Sequence, residues 1–424
     1  MNTPSHQPAV STRRMTAALL LLAATLSAPA FAANDVLLAS DADLQASASD
    51  AVGNLVILTR AGTPQLPLLN VQRFDAQGHA LGAAVSIASA SSVVSSPALA
   101  RNAAGRFAVA WIADPQGSHP QVLEQSFDID GTARGPALTV ATLPQRFSFF
   151  GTDKVVAVGI DDAGNSAVAW SNLNRIVDIP VGDGLIALNI DSIRVQRVTA
   201  SGKLSGAPLL VAAEAAAPVP GIGGVASPAV LMQSGGDFSI AWHAGLARGA
   251  VRVQRYAGTS GLRVGSLKTL QQTSDPALLR TLPDGRWFAV FEGLDAQGFS
   301  DIDAHMYSSA GAMQGSAFRV NTYSLYSQDT PTLASDARGD LAVAWNSLGQ
   351  VEGISSGAAS YDIFVQRFRA DGSTFGGEFR ANSYTSGQQT DPQALLDAVG
   401  NLQVIWTGDG AQGYGIYLHY FAAP

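Results

Sequence analysis

The chain has 424 residues, of which 47% are hydrophobic and 14% are charged, with a formal net charge of −8 and no cysteine. Nucleic-acid binding requires a clustered basic surface, and the acidic balance without any basic run argues against it. The lack of cysteine excludes a disulfide framework, so the apolar core has to supply the stability of the fold.

The N-terminus has the pattern of a secretory signal peptide. Arg13 and Arg14 form a positive segment, residues 17–26 form a short apolar segment, and Ala30-Phe31-Ala32 is a small-residue cleavage site. The apolar segment is too short to span a membrane, and no later stretch is long enough to do so as a helix. The sequence therefore predicts a signal peptide over residues 1–32, no membrane span, and an exported protein that is periplasmic, extracellular or on the cell surface.

A repeat of about 50 residues occupies the rest of the chain, and a fixed period of this length indicates a repeat architecture. In each copy a turn glycine is followed, six residues later, by the end of an apolar strand. The strand-end positions hold Thr59, Trp111, Trp170, Trp242, Phe291, Trp345 and Trp406. Five of the six tryptophans therefore share one repeat position. We expect the six aromatic residues to be equivalent packing residues, buried between neighbouring repeats.

The strand pattern within one copy predicts a β-propeller blade. The segments 331–334, 341–345, 363–368 and 378–381 have strand character and are separated by glycine turns or longer loops. This pattern is typical of antiparallel strands joined by hairpins. Four antiparallel strands per copy, repeated radially, form the blades of a propeller.

The two ends of the chain predict how the ring closes. The last repeat has only three strands and ends at Phe421, whereas an unpaired apolar strand over 35–39 precedes the first repeat. Pairing the two completes a seventh blade and removes exposed strand edges. An open solenoid is the alternative, and the split terminal unit favours the ring. We therefore predict an all-β, seven-bladed β-propeller of four-stranded antiparallel blades, as a single domain over residues 33–424.

Loop lengths predict where a ligand binds. The hairpins between first and second strands, and between third and fourth strands, are tight, while the other two connections of each blade are long and irregular. The long connections emerge on one face, and irregular loops on a rigid scaffold commonly carry function. Aromatic residues in these loops are the candidate contacts for a glycan or a protein partner: Phe147, Phe149, Phe150, Tyr323, Tyr326 and Tyr384. The alternative is that these rings only pack over the ends of the blades. A further insertion, residues 172–191, predicts a protruding apolar hairpin.

Catalytic and metal-binding motifs are incomplete. A G-x-S-x-G match at 353–357 lies in a Gly/Ser-rich loop and lacks the strand–turn–helix context that the motif needs. The segment 128–131 begins like a calcium loop, but no downstream carboxylate completes it. No histidines have metal-ligand spacing, and His305 and His419 occupy a strand position held elsewhere by glutamine, which predicts a structural hydrogen-bonding ladder. The sequence therefore predicts no catalytic residue, no metal and no cofactor; calcium is possible but is not indicated by a complete motif.

The repeats resemble those of secreted and cell-surface bacterial β-propeller proteins. The shared pattern is D-x-P, then D-x-x-G and V-x-W, then V-x-x-Q-R-F followed by two glycines, and it is carried best by residues 329–345, 363–377 and 391–406. The resemblance covers essentially all of residues 33–424 and implies the fold and an exported location. The boxes of sialidase-type propellers and the repeated calcium loops of integrin-like propellers do not occur here.

Two classes of function follow from these observations. The first is a non-enzymatic binding or scaffold module that recognises a glycan or a protein through the variable loops. The second is a polysaccharide hydrolase or lyase with a site at the mouth of the central channel, for which two carboxylates from different blades would have to converge. The lack of a nucleophile–base pair favours the binding module.

Overall fold

The computed structural model describes residues 35–424, except 64–65, 89–92, 115–118, 144–155, 182–183, 217–224, 234, 245–249, 271–277 and 352–359. Within these ranges the chain forms strands and no helix. The part of the chain that the structure describes accordingly contains no helix long and apolar enough to cross a membrane.

Seven sheets of four antiparallel strands are arranged as blades. Blade 1 consists of β2 (Asp43–Ser49), β3 (Leu55–Thr63), β4 (Leu66–Phe74) and β5 (Val85–Ala88). Blade 2 consists of β6 (Val93–Arg101), β7 (Phe107–Asp114), β8 (Gln121–Phe127) and β9 (Leu138–Thr142). Blade 3 consists of β10 (Val156–Ile160), β11 (Ser166–Val181), β12 (Gly184–Val198) and β13 (Leu204–Ala216). Blade 4 consists of β14 (Val225–Met232), β15 (Phe238–Ala244), β16 (Ala250–Tyr256) and β17 (Arg263–Leu270).

The remaining blades follow the same order. Blade 5 consists of β18 (Leu278–Thr281), β19 (Trp287–Leu294), β20 (Ser300–Tyr307) and β21 (Met313–Arg319). Blade 6 consists of β22 (Gln328–Ser335), β23 (Leu341–Leu348), β24 (Tyr361–Phe368) and β25 (Phe379–Arg380). Blade 7 consists of β26 (Gln389–Leu396), β27 (Leu402–Gly410), β28 (Gly413–Phe421) and the N-terminal strand β1 (Val36–Ser40).

The N-terminal strand closes the ring, as predicted. β1 is antiparallel to β28, with Val36 opposite Leu418 and Ser40 opposite Gly415. First strands of neighbouring blades contact one another, as β2 does with β6, β6 with β10 and β10 with β14, and β2 contacts β26 across the closure. The predicted seven-bladed β-propeller is therefore confirmed.

The core is divided among the junctions between blades. Trp345 is fully buried and packs with Phe288 and Val290 of blade 5, and Trp406 packs in the same way against blade 6. The tryptophans at this repeat position are each exposed by 3% or less: Trp111, Trp170, Trp242, Trp345 and Trp406. In blade 5 the equivalent Phe291 is 8% exposed and meets His305 edge-on, while Trp287, four residues earlier, packs against blade 4.

Turn chemistry explains the hairpins that join first and second strands. Gly339 has a φ of +89°, a left-handed conformation that glycine adopts without steric cost. The Asp336 carboxylate accepts hydrogen bonds from the backbone N–H groups of Arg338 and Asp340, both at 2.9 Å. The equivalent aspartates cap their turns in the same way: Asp50, Asp161 and Asp397.

The predicted ladder of polar residues is present on the third strands. Each glutamine donates its amide N–H to the carbonyl of the second hairpin glycine of its own blade, at 2.7–3.4 Å: Gln72, Gln125, Gln196, Gln254 and Gln366. The two histidines at this position bond differently. His305 Nδ1 lies 3.2 Å from the Tyr307 hydroxyl, and His419 Nδ1 lies 2.8 Å from Asp35 Oδ1.

The two faces of the ring have different roles. We call the face of the tight hairpins the turn face and the face of the other connections the loop face. On the turn face, long side chains bind backbone carbonyls of the next blade: Arg73 to Ile129, Arg197 to Gly258 and Thr259, Arg367 to Gly400, and Gln403 to Gly53 and Ala76. These bonds hold neighbouring blades together. On the loop face, β11 and β12 extend as a hairpin in which residues 172–181 pair with 184–192, as predicted.

Candidate ligand-binding site

The structure brings together two of the predicted ligand-binding residues. The rings of Tyr323 and Tyr326 are 6.4 Å apart in the loop that leads from blade 5 to blade 6. Tyr384 is 37% exposed and lies in the corresponding loop between blades 6 and 7. Phe147, Phe149 and Phe150 lie outside the described residues.

Buried asparagines fix the conformation of these two loops. Asn321 is 3% exposed; its Nδ2 donates to Asp301 Oδ1 at 2.7 Å and to the Tyr323 carbonyl at 2.8 Å. Its Oδ1 accepts the backbone N–H of Ile302 at 2.7 Å. Asn382 makes the same contacts with Asp362, Tyr384 and Ile363 one blade further on. Since both loops are anchored by a fully bonded side chain, the tyrosines that follow are held by the fold.

An aromatic cluster lies on the loop face at the junction of blades 5 and 6. Phe299, which is 36% exposed, meets Tyr326 edge-on with ring centroids 5.9 Å apart. Leu294 and Leu325 nearby in the chain are 74% and 68% exposed. The Tyr323 hydroxyl donates to the Gly349 carbonyl at 3.2 Å, which ties the cluster to the end of β23. We call Phe299, Tyr323 and Tyr326 the aromatic cluster.

A polar cluster lies beside it, at the loop-face ends of three strands of blade 6. Asp329 on β22 accepts hydrogen bonds from Asn346 Nδ2 on β23 and from the Tyr361 hydroxyl on β24, both at 3.0 Å. Asn346 is 4% exposed, and its Oδ1 is buried without a hydrogen-bond partner. A buried carbonyl oxygen without a donor is costly and is commonly satisfied by water or a ligand. We call Asp329, Asn346 and Tyr361 the polar cluster.

The electrostatics make Tyr361 a hydrogen-bond donor. Burial raises the pKa of Tyr361 to about 12, together with the negative charges of Asp329 and Glu292 and the hydrogen bond to Asp329. The phenol therefore stays protonated at neutral pH and is not an activated nucleophile.

Backbone strain accompanies the polar cluster but belongs to the repeat. Thr330 has a φ of +51°, which is unusual for a β-branched residue, and its N–H donates to Glu292 Oε1 at 2.7 Å. Asp391, at the equivalent position of blade 7, has a φ of +56°. Both residues sit at a bulge before a proline, where the pairing of the first strand shifts. The strain is thus a property of the bulge and gives no separate sign of function.

The arrangement suits recognition of a polar ligand that has an apolar face. The polar cluster combines carboxylate and amide oxygens with a phenol donor, and the aromatic cluster offers rings at the surface. Among the described residues, no three histidine, aspartate or glutamate side chains converge in a way that could hold a metal ion. Two cavities, of about 220 and 210 Å³, lie elsewhere, between blades 3 and 4. The site between blades 5 and 6 is therefore a surface site distinct from both.

Sequence reasoning did not identify Phe299 or the polar cluster. Asp329 stands two residues before Pro331, where other copies carry Ser95, Ala226 and Thr390, so the repeat pattern alone does not single it out. Tyr361 and Asn346 are 32 and 17 residues from Asp329, and only the pairing of β22, β23 and β24 brings the three together. A usable signal was that Tyr361 is the first residue of the third strand, at the end that faces the long loops.

No family model matches the chain, and the comparison with curated proteins finds no match either. Among solved structures, the β-propeller domain of the Trilobed protease from Pyrococcus furiosus is similar with 6% identity and a TM-score of 0.49, over 91% of this chain and 97% of that domain. The GH93 α-L-arabinofuranosidase of Fusarium graminearum has 11% identity and a TM-score of 0.45, over 77% of this chain and 92% of its own. The NanB sialidase of Streptococcus pneumoniae has 8% identity and a TM-score of 0.45, over 87% of this chain and 83% of its own. Likeness at this level carries no activity over to this chain.

Proposed function

We propose that this protein is an exported β-propeller that binds a glycan on its loop face, at the junction of blades 5 and 6. The observation that carries the proposal is the placement of the aromatic cluster next to the polar cluster. Tyr326 precedes Asp329 by three residues, and Tyr323 bonds to Gly349, which is next to the strand end opposite Tyr361. Sugars present apolar C–H faces and rings of hydroxyls, which aromatic rings and fixed polar groups bind together.

The individual groups match the chemistry of sugar hydroxyls. Asn346 Oδ1 is a buried acceptor without a partner, so a donated hydroxyl hydrogen would remove the cost of leaving it unbonded. The ring of Phe299 is anchored by its edge-on contact with Tyr326 and loses little rotamer freedom on binding. A protein partner is the second form of the binding hypothesis. A stable protein interface buries about 800 Å² per partner, and it would therefore extend well beyond these two clusters.

A hydrolase or lyase acting on a polysaccharide is the second candidate, and one observation favours it. Burial and the charge of Asp301 raise the pKa of Asp303 on β20. A carboxyl group with a raised pKa is what a general acid requires. The carboxylates of the polar cluster and its surroundings argue the other way, because Asp329 and Glu292 already accept hydrogen bonds from the protein.

The experiment is a glycan array screened with residues 33–424, followed by titration calorimetry on the ligands that bind. We expect Phe299→Ala and Tyr326→Ala each to weaken binding about tenfold or more, as for central aromatic contacts in general. Tyr414→Ala is the matched control, because Tyr414 is a loop-face tyrosine of blade 7 that is 54% exposed.

Binding that survives both substitutions would place the site elsewhere, first at the loop with Phe147, Phe149 and Phe150. A screen in which no glycan binds and a protein partner does would replace the glycan by that partner. Release of reducing ends or of unsaturated products from a polysaccharide would overturn the non-enzymatic function, and loss of that activity in Asp303→Asn would assign the acid.

The exported location is part of the proposal and rests on the predicted signal peptide. Protein recovered from the periplasm, the culture medium or the cell surface should begin at Ala33. A cytoplasmic protein that retains Arg13 and Arg14 would refute export.

A further inference from the structure

The cavity of about 220 Å³ between blades 3 and 4 has a buried carboxylate in its wall. Asp161 lines this cavity and is 4% exposed. Its two oxygens accept hydrogen bonds from the backbone N–H and the side-chain Nδ2 of Asn165, at 2.7 and 2.8 Å. Among the described residues, no arginine or lysine forms an ion pair with Asp161. A buried carboxylate without a cation is costly, so a cationic ligand would stabilise it.

The junction of blades 1 and 2 shows which group occupies this place elsewhere in the ring. Asp50 holds the repeat position of Asp161, and Arg101 at the end of β6 donates Nη2 to its carboxylate at 2.8 Å. The same guanidinium donates to the Asn54 and Gly105 carbonyls, at 2.7 and 3.1 Å. The Arg101 side chain is 2% exposed, so three acceptors hold a buried guanidinium.

All three acceptors have counterparts in the wall of the cavity. The residues at their repeat positions each line it: Asp161, Asn165 and Gly236. The position of Arg101 is held by Met232, the last residue of β14, which carries no charge. Met232 packs towards blade 3, where its Cγ takes the place that a Cβ on Gly159 would occupy. The acceptors are therefore present without the guanidinium that they bind in blade 2.

A second aspartate has no cation partner, but its junction is closed. Asp397 of blade 7 caps its turn as Asp161 does, and the described residues provide no ion pair for it. There Gln403 Nε2 donates to the Gly53 and Ala76 carbonyls of blade 1, both at 2.9 Å. Blade 3 has Ala167 at the position of Gln403, and this alanine lines the cavity. The junction of blades 3 and 4 thus lacks both of the side chains that fill this space elsewhere.

We propose that this cavity binds a guanidinium group, from an arginine side chain or a small guanidino compound, with Asp161 as its counter-ion. A guanidinium is planar and weakly hydrated, and its fork of donors fits a carboxylate together with neighbouring carbonyls. The cavity has room for roughly seven water volumes, which accommodates such a group. The site lies on the turn face and does not depend on the function proposed for the loop face.

A neighbouring arginine is compatible with this assignment. Arg197 also lines the cavity, but its Nη1 donates to the Gly258 and Thr259 carbonyls of blade 4, at 2.8 and 2.7 Å. Arg73 makes the equivalent bond to blade 2 and lies near the buried Arg101, so that junction holds two guanidinium groups beside one carboxylate. The Nε of Arg197 is buried without an acceptor, and a ligand that also carries a carbonyl oxygen would supply one.

The test follows thermal unfolding of residues 33–424 by circular dichroism in millimolar methylguanidinium chloride. A ligand that binds only the folded state raises the midpoint saturably. We expect methylguanidinium to do so, whereas its neutral isostere methylurea and sodium chloride at the same concentration should not. Nα-acetylarginine amide is titrated in parallel. The probe with the lower apparent Kd identifies the source of the group as a free guanidino compound or an arginine side chain.

Substitutions then test the site from two sides. Asp161→Asn removes the charge but keeps one oxygen for the turn, and it should weaken the apparent affinity about tenfold or more. Asp397→Asn is the matched control, because it changes the same turn position at the junction closed by Gln403, and it should leave the affinity unchanged. Met232→Arg should place a guanidinium in the cavity, as Arg101 does in blade 2, so binding should be lost and the midpoint without ligand should rise.

Met232→Arg leaves the carboxylate intact, so it keeps the test decisive even where Asp161→Asn does not fold. A midpoint that methylguanidinium does not raise, or that methylurea raises equally, would overturn the site. An apparent affinity that stays unchanged in Asp161→Asn or in Met232→Arg would overturn it as well.

Discussion

The strongest stability prediction concerns the carboxylate that locks the N-terminal strand into the ring. Asp35 precedes β1 and accepts hydrogen bonds from the backbone N–H groups of Ser383 and Tyr384, at 2.9 and 3.1 Å, and from His419 Nδ1 at 2.8 Å. Its side chain is 7% exposed and that of His419 is 3% exposed. Asp35→Asn keeps the shape but offers only one acceptor atom, so it leaves buried donors without a partner.

The size of the effect follows from this geometry. Leaving a buried hydrogen-bond donor without its partner costs about 1–3 kcal/mol, and more where the partner was charged, so we expect the loss of one carboxylate oxygen to cost about 3 kcal/mol. Burial raises the pKa of Asp35, but the hydrogen bonds from His419, Tyr384 and Ser383 outweigh it and hold the pKa below the ordinary 3.8. A lowered pKa in the folded state stabilises the fold fully above 3.8, and that contribution is lost as the pH falls through the folded value. The difference between wild type and variant should therefore be large near neutral pH and small at an acid pH below the folded value.

The assay is urea unfolding followed by far-ultraviolet circular dichroism at both pH values. The chain offers a matched control in Asp75, which meets His79 Nδ1 at the same distance of 2.8 Å, with the His79 side chain 79% exposed. Exposed pairs contribute about 0–1 kcal/mol, so Asp75→Asn should cost far less. Equal effects of Asp35→Asn and Asp75→Asn, or a difference that does not depend on pH, would refute the locking role.

Three further predictions concern the junctions between blades. Burial raises the pKa of Glu124, so the wild-type protein loses stability as the pH rises from the ordinary 4.5 through the higher folded value. Glu124→Gln should therefore be more stable than wild type at neutral pH and equally stable in acid. A variant that is less stable than wild type at neutral pH would contradict this. Trp345→Phe should cost about 1 kcal/mol more than Trp406→Phe in urea unfolding, because the Trp345 indole donates to a glutamine and the Trp406 indole has no partner. Arg101→Met should cost about 3–5 kcal/mol, because it leaves the buried Asp50 carboxylate of blade 1 without the guanidinium 2.8 Å away. A change below about 1 kcal/mol would show that the pair is dispensable.

Some features of the candidate site could be predicted from sequence. The loops with Tyr323, Tyr326 and Tyr384 stand out because they interrupt a regular repeat with aromatic residues. The sequence could not show that Tyr326 meets Phe299, because Phe299 lies in a different connection of blade 5. The loop residues 147–150 stay a prediction.

The sequence by itself determined the blades and their closure. Three local features carry this information: the alternation along each strand, a glycine in the left-handed conformation at each turn, and a last repeat with only three strands. Each feature specifies hydrogen bonds between segments that are neighbours in the chain or in the repeat order. The same alternation placed Trp111, Trp345 and Trp406 at the inward-facing strand position where they are buried.

Only the tertiary structure decided which side chains meet between blades. Asp35 meets Ser383 across 348 residues, Arg367 reaches the turn at Gly400, and Tyr361 and Asn346 converge on Asp329 at one end of a sheet. The Arg367 contact recurs with Arg73 and Arg197, which hold the same repeat position. The other contacts have no sequence period, since each depends on how two sheets pack or on where an irregular loop ends. The blades follow from residues that recur in each repeat, whereas the candidate site lies where individual residues differ from the repeat at a junction of blades.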